Sequence, residues 1–348
     1  MSVLTQRIAP ALVALSVLAA CAAPSPPVVI APPPPPPLPA VSLSPRVIEQ
    51  ASAYRAYVTH AAAISPGFAE AGDVSRAVRT GAAYEPGQLL RGAIAYGAVA
   101  ALQDPDFLAG VRKYAADPDQ RRTVAYEIMK DPAYAVGFSG SAGAAGLVIA
   151  ALGQDGQRLL TAGRAVKQAA YDIQRSAWSK ADVADRDERL ALAKQLSTRP
   201  GTGEVSETAR LQLAAGGGSA LGLTGQSAAP PYTPLVIRSL AVAALAALGY
   251  ADDASLTQVM PILTEVNSAS CLNLAKLNLY QCLAVAKPQY EDVFCLGQHI
   301  MMDTGACLMK GAGVTDPVDD QALALAAQLP PRQPSKTAQP YSPPKKKR

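Results

Sequence analysis

The sequence predicts an all-α fold, an irregular multi-helix bundle that ends in a disulfide-stapled helical hairpin. Three observations carry this. Alanine, the best helix former, recurs in nearly every block of ten residues, while only 17% of residues are charged and 5% aromatic. Runs in which β-branched or aromatic residues alternate with polar ones, as a half-buried strand requires, are scarce. Four cysteines, Cys271, Cys282, Cys295 and Cys307, flank Lys287-Pro288 almost symmetrically. At 348 residues and 49% hydrophobic composition the chain can bury one large core or two small ones.

The elements follow in chain order. Arg7 precedes an apolar stretch from Ile8 to Ala20, too short to span a bilayer comfortably, where about 20 residues are needed. The stretch ends in Leu18-Ala19-Ala20-Cys21, which resembles the lipobox of bacterial lipoproteins. The resemblance covers residues 1–21. It implies a signal peptide over 1–20, lipidation and amine acylation of Cys21, and, with Ala22 rather than Asp next, the periplasmic face of the outer membrane. Several acyl chains, at about 0.8 kcal/mol per buried CH₂, make such an anchor effectively permanent. Residues 21–45 then form a Pro-rich spacer that contains the run Pro32 to Pro37. In polyproline II geometry its residues 24–45 reach roughly 70 Å.

The helical body is expected over 46–213. A first helix runs from Arg46 to Ala63, and a second starts at Pro86, where Leu90, Ile94, Ala98 and Leu102 repeat every fourth residue. Asp104-Pro105, Asp117-Pro118 and Asp131-Pro132 each combine a capping carboxylate with a proline suited to a first helical turn, so three more helices are expected. Residues 133–153 carry no charge. Gly137, Gly140, Gly143 and Gly146 favour a buried helix with a small-residue face for close helix contact, with a membrane segment as the competing reading. Longer, more polar helices follow around 158–198, then a loop at 198–203. The Gly-, Ser- and Pro-rich loop 214–234 is the expected internal boundary. Residues 235–329 resume the helical pattern, and 330–348 form a disordered basic Pro-rich tail.

Charge bounds the function. The net +4 is concentrated at the ends: setting aside Arg7 and the six basic residues of the last seventeen leaves residues 22–331 three charges negative. The body is therefore no basic nucleic-acid-binding domain. The tail's Lys345, Lys346, Lys347 and Arg348 resemble a nuclear-import signal, for which an exported protein has no use. A contact with an anionic surface and a solvated end are the two readings that remain.

Chemistry-bearing motifs are sparse. His60 and His299 are the only histidines, and no spacing selects a triad around either. Gly137-Phe-Ser139-Gly-Ser141-Ala-Gly143 misses the Gly-x-Ser-x-Gly elbow by one position and follows a helix start, not a strand. Gly216 to Gly222 lacks the strand–turn–helix setting of a dinucleotide loop. Tyr54, Tyr57 and His60, three residues apart on one helix, with Arg76 and Arg79 soon after, are candidates for a polar pocket; the alternative is that the tyrosines are core aromatics with surface hydroxyls.

Four cysteines in a short exported segment argue for two disulfides, and their wide gaps lack the clustering of a zinc site, so no metal or cofactor is expected. On one continuous helix Cys271 and Cys282 sit roughly 16 Å apart, beyond the reach of a disulfide at under about 7 Å between Cα atoms. A hairpin turning at Lys287-Pro288 instead pairs Cys282 with Cys295 and Cys271 with Cys307. The nested arrangement resembles the twin-Cys hairpin of coiled-coil-helix-coiled-coil-helix proteins, with longer intervals. From Cys295 to Cys307 an ideal helix rotates about 120° out of register, so a break is expected at Asp303-Thr304-Gly305. The function expected is a non-enzymatic interaction or scaffolding module that engages an envelope protein or cell-wall component. A cell-wall- or lipid-active enzyme and a carrier of an apolar ligand are the alternatives.

Overall fold

The computed structural model describes residues 38–218 and 220–316. The lipobox with Cys21, most of the spacer and the tail with Lys345–Arg348 lie outside the described residues. Among the described residues there is no strand, only an isolated bridge between Asp182 and Pro288. The end of the spacer already belongs to the body: Leu43 is buried, and the amides of Ser42 and Ser44 donate to the carbonyls of Ala246 and Ala251.

Helix α1, Pro45–Ala62, starts on the Ser44 side chain, which accepts from the Arg46 amide. Helix α2, Ala71–Ala82, was not expected from the sequence; it rests on a capping box in which Glu70 and Asp73 each serve the other's backbone. Glu85 caps α3, Pro86–Ala101, and Asp104 and Asp117 cap α4, Pro105–Arg112, and α5, Pro118–Lys130, as their Asp-Pro pairs imply. The third pair starts only a 3₁₀ segment, Pro132–Gly137. Gly140, with φ +84°, then turns the chain into the 32-residue α6, Ser141–Asp172. Segment 133–153 is thus split between two elements, and no described helix is long and apolar enough to cross a membrane.

Short α7, Ala177–Lys180, precedes α8, Arg186–Leu196, and α9, Val205–Ala215. A loop of irregular chain leads to α10, Pro234–Ala247, and α11, Leu256–Val259. One apolar cluster takes residues from both sides of that loop, from Leu211, Ala214 and Ala215 before it to Leu235, Val236 and Leu240 after it, so the loop does not divide the core. The hairpin comprises α12, Val266–Val285, then α13, Gln289–Cys295, a π-helical segment, Leu296–Met302, and α14, Asp303–Ala312.

Two apolar clusters fill the body. The first gathers around α1, α3 and α10, whose alanine-rich faces are buried nearly all round; the second lies between α2, α8, α12 and α13. Helix α6 runs through both and is the spine. Toward the π segment and α14 its close contacts come from Gly156 and Gly163, while Gly140, Gly143 and Gly146 of the expected small-residue face lie closer still to the start of α4 and to the loop before α10. A Cβ on Gly156 would stand 2.7 Å from the Gly305 carbonyl oxygen, and one on Gly163 2.8 Å from the Met302 nitrogen. Gly143 and Gly146 instead admit the Asp104 side chain and the backbone of Gln226, and nothing approaches Gly137.

Both expected disulfides are present, Cys271–Cys307 and Cys282–Cys295, each with Cα atoms 5.7 Å apart. The expected break at Asp303 is absent. The π segment does its work: a π turn holds about one more residue than an α turn, so seven such residues unwind on the order of 120° and bring Cys295 and Cys307 onto one face.

Candidate functional site

The five residues expected to share a polar pocket are divided among three places. Tyr54 and Tyr57 are core residues: Tyr57 packs on Tyr84 with ring centroids 4.5 Å apart and donates to the Gly81 carbonyl, and Tyr54 packs on Tyr96. Their hydroxyls are buried, and burial raises both phenol pKa values well above the ordinary value. His60 and Arg76 border a shallow recess of about 280 Å³, where each is engaged, His60 with Glu204 at 2.9 Å and Arg76 with Asp73. Arg79 alone faces a better enclosed cleft.

That cleft, of about 390 Å³, runs between α2 and α8 and has α13 as its floor. Ser75, Val78 and Arg79 form one wall, and Asp185, Glu188, Leu192 and Leu196 the other. Arg186 and Arg189 brace the second wall by donating to the otherwise orphaned carbonyls at the end of α12, Ala286 and Ala284 from Arg186 and Leu283 from Arg189. Asp185 enters α8 with φ +50°, a left-handed conformation that Asp tolerates better than most residues.

The floor is formed by Gln289 and Asp292, 7% and 2% exposed. Asp292 Oδ1 accepts from Arg189 Nη1 at 2.5 Å. Burial nevertheless outweighs the guanidinium and lifts the carboxyl to about 6. The backbone amide of Gln289 donates to Ala181 at 3.1 Å, while its side-chain amide has no hydrogen-bond partner among the described residues. A wider recess of about 480 Å³ beside Lys180 and Lys287 is lined by exposed and half-buried residues only.

Two further buried charges hold helices together. Lys276 lies 3.4 Å from the centroid of the Tyr84 ring and donates to the Ala82 carbonyl at 2.7 Å and to Ser197 Oγ at 3.0 Å. Burial pushes its pKa well below the usual lysine value. Asp155, 1% exposed on α6, receives both Arg55 of α1 and Arg158.

His299 Nδ1 pairs with Asp303 Oδ2 at 2.8 Å, and the four cysteines near it are consumed in disulfides. Among the described residues no group of three or more His, Cys, Asp or Glu side chains is placed to hold a metal.

Sequence reasoning missed the cleft because its second wall, Asp185-Arg-Asp-Glu-Arg189, reads as a solvated helix start, and nothing in Gln289 or Asp292 announces burial. No family model, curated protein or solved structure matches this chain.

Proposed function

We propose that the protein is a lipid-anchored envelope protein, held through Cys21 on the periplasmic face of the outer membrane, whose helical body acts as a non-enzymatic interaction module. The lipobox sequence and the Pro-rich stretch behind it support the anchoring. The observation that carries the interaction reading is the α2/α8 cleft. Its α8 wall and floor are braced by arginines, and the Gln289 amide that lines it has no hydrogen-bond partner among the described residues, an arrangement suited to recognising a partner segment with little rearrangement. The basic tail Lys345–Arg348 offers a second contact with an anionic surface.

A photocrosslinking residue at Ser75, in intact cells, tests this reading. A discrete adduct is expected from Ser75 and not from the exposed Arg122 on α5; identical adducts from both, or none, would count against the cleft. Fatty-acid labelling tests the anchor, since Cys21→Ser is expected to abolish incorporation and release the protein.

One observation favours an enzymatic reading in second place: Asp292, held near 6, shares the cleft with Glu188 as a pair of carboxylates suited to general acid–base work. Under that reading Asp292→Asn abolishes a hydrolytic activity on envelope material while leaving the crosslinked adduct intact.

A further inference from the structure

We propose that the α2/α8 cleft binds a short peptide bearing a free amine and a free carboxylate; this rests on the interaction-module reading above and specifies its ligand. The unpaired charges on the rim are separated by sign, since Arg189, which also lines the cleft on the α8 side, is paired with Asp292 on the floor. The α2 wall offers the Arg79 guanidinium, the α8 wall the carboxylates of Asp185 and Glu188, and none of the three is in an ion pair among the described residues. A zwitterion laid across the cleft sets its carboxylate against Arg79 and its ammonium against Asp185 and Glu188.

The floor specifies what lies between the two ends. Gln289 is buried to more than nine-tenths, lines the cleft and has no side-chain hydrogen-bond partner among the described residues, so its amide offers a donor and an acceptor to whatever fills the cleft. A peptide unit presents the complementary acceptor and donor, whereas a hydrocarbon leaves both unmet. Asp292 lies beside Gln289 with Oδ1 already taken by Arg189. Val78, Ala193 and Leu196 supply an apolar side on which small aliphatic side chains pack. A volume of about 390 Å³ is at the lower end for ligand sites and fits roughly two to four small residues.

The test is calorimetric titration of the full chain with trialanine, with N-acetyl-trialanine, with trialanine amide and with the doubly blocked peptide. Saturable binding of trialanine is expected, with each single block weakening it about tenfold or more. Gln289→Leu is expected to weaken every peptide about tenfold. Arg79→Gln, at an exposed position, is expected to weaken trialanine but leave trialanine amide unchanged; Arg122→Gln is expected to change nothing. Absence of saturable heat, equal binding of the doubly blocked peptide, or sensitivity to only one of the two ends overturns the assignment. If the Ser75 adduct forms in cells while trialanine fails to bind, the ligand class falls and the interaction module stands.

Discussion

Gly305→Ala puts the spine contact to a quantitative test. The new Cβ would lie 2.7 Å from the Gly156 carbonyl oxygen and 2.8 Å from the Leu160 nitrogen, both backbone atoms of α6. Ordinary contact begins near 3.4 Å, so the two helices must part by about 0.7 Å along this stretch. Overpacking of this kind costs about 1 to 3 kcal/mol, and the parting also weakens the dispersion contacts around Leu159 and Met309. Against this stands a gain of about 1 kcal/mol in helix propensity for Ala over Gly. The net expectation is a loss of about 1 kcal/mol, a mid-range cost of about 2 less the gain of about 1, read from the urea midpoint of the oxidised protein by circular dichroism. Gly137→Ala, with nothing within 4 Å of its Cβ, serves as the control and should be neutral or slightly stabilising. Gly156→Ala forces the same parting from the other side, so the double variant should lose less than the sum of the singles. A Gly305→Ala protein as stable as the wild type would refute the close approach of α6 and α14.

Further expectations concern the buried charges and the hairpin. The Asp292 carboxyl should titrate near 6 by carbon-13 NMR. A raised folded-state pKa favours folding below the unfolded value and loses that advantage as pH rises, so stability should decline by roughly 3 kcal/mol between about 4 and about 6 from this group; a midpoint at 4 or lower contradicts its burial. Lys276→Met should change stability by less than about 1 kcal/mol or raise it, because the desolvated ammonium is removed while the Ala82 carbonyl keeps the Ser197 hydroxyl; a thermal-melt loss equivalent to more than 3 kcal/mol would show the ammonium to be worth more than its burial costs. Replacing Cys282 and Cys295 by Ser should cost about 3 kcal/mol, and replacing Cys271 and Cys307 about 4 kcal/mol, because the second bond closes a loop of 36 rather than 13 residues. Equal stability of the oxidised and doubly substituted proteins in urea would contradict this.

Much of the framework is legible in the residues themselves, because helix starts are local chemistry. Asp104, Asp117 and Glu85 stand directly before prolines and cap the helices that follow. Helix α2 escapes notice because its cap is a glutamate with no proline, and two glycines lie within it. The cysteine pairing is legible because Pro288 fixes the turn and nested bonds follow from symmetry about it. The π segment is not, since an extra residue per turn leaves no mark on composition or period; the misfit of about 120° at Cys307 shows that the helix must deviate but is met equally by a break or by unwinding. The cleft is the least legible part. Whether Gln289 and Asp292 face water depends on α8 folding back across residues a hundred positions away, which no local pattern encodes.

The placement of α6 also governs how the chain becomes a protein. Its far half is completed by the π segment and α14, which follow it by about 140 residues, and synthesis proceeds from the N-terminus. Until residue 312 has emerged, the glycine-notched face at Gly156 and Gly163 has no mate, and a long-range contact of this kind is slow to find. The nascent chain therefore carries an open apolar seam while the intervening residues are made, the condition in which holding chaperones act and in which premature association with a second nascent copy competes with closure.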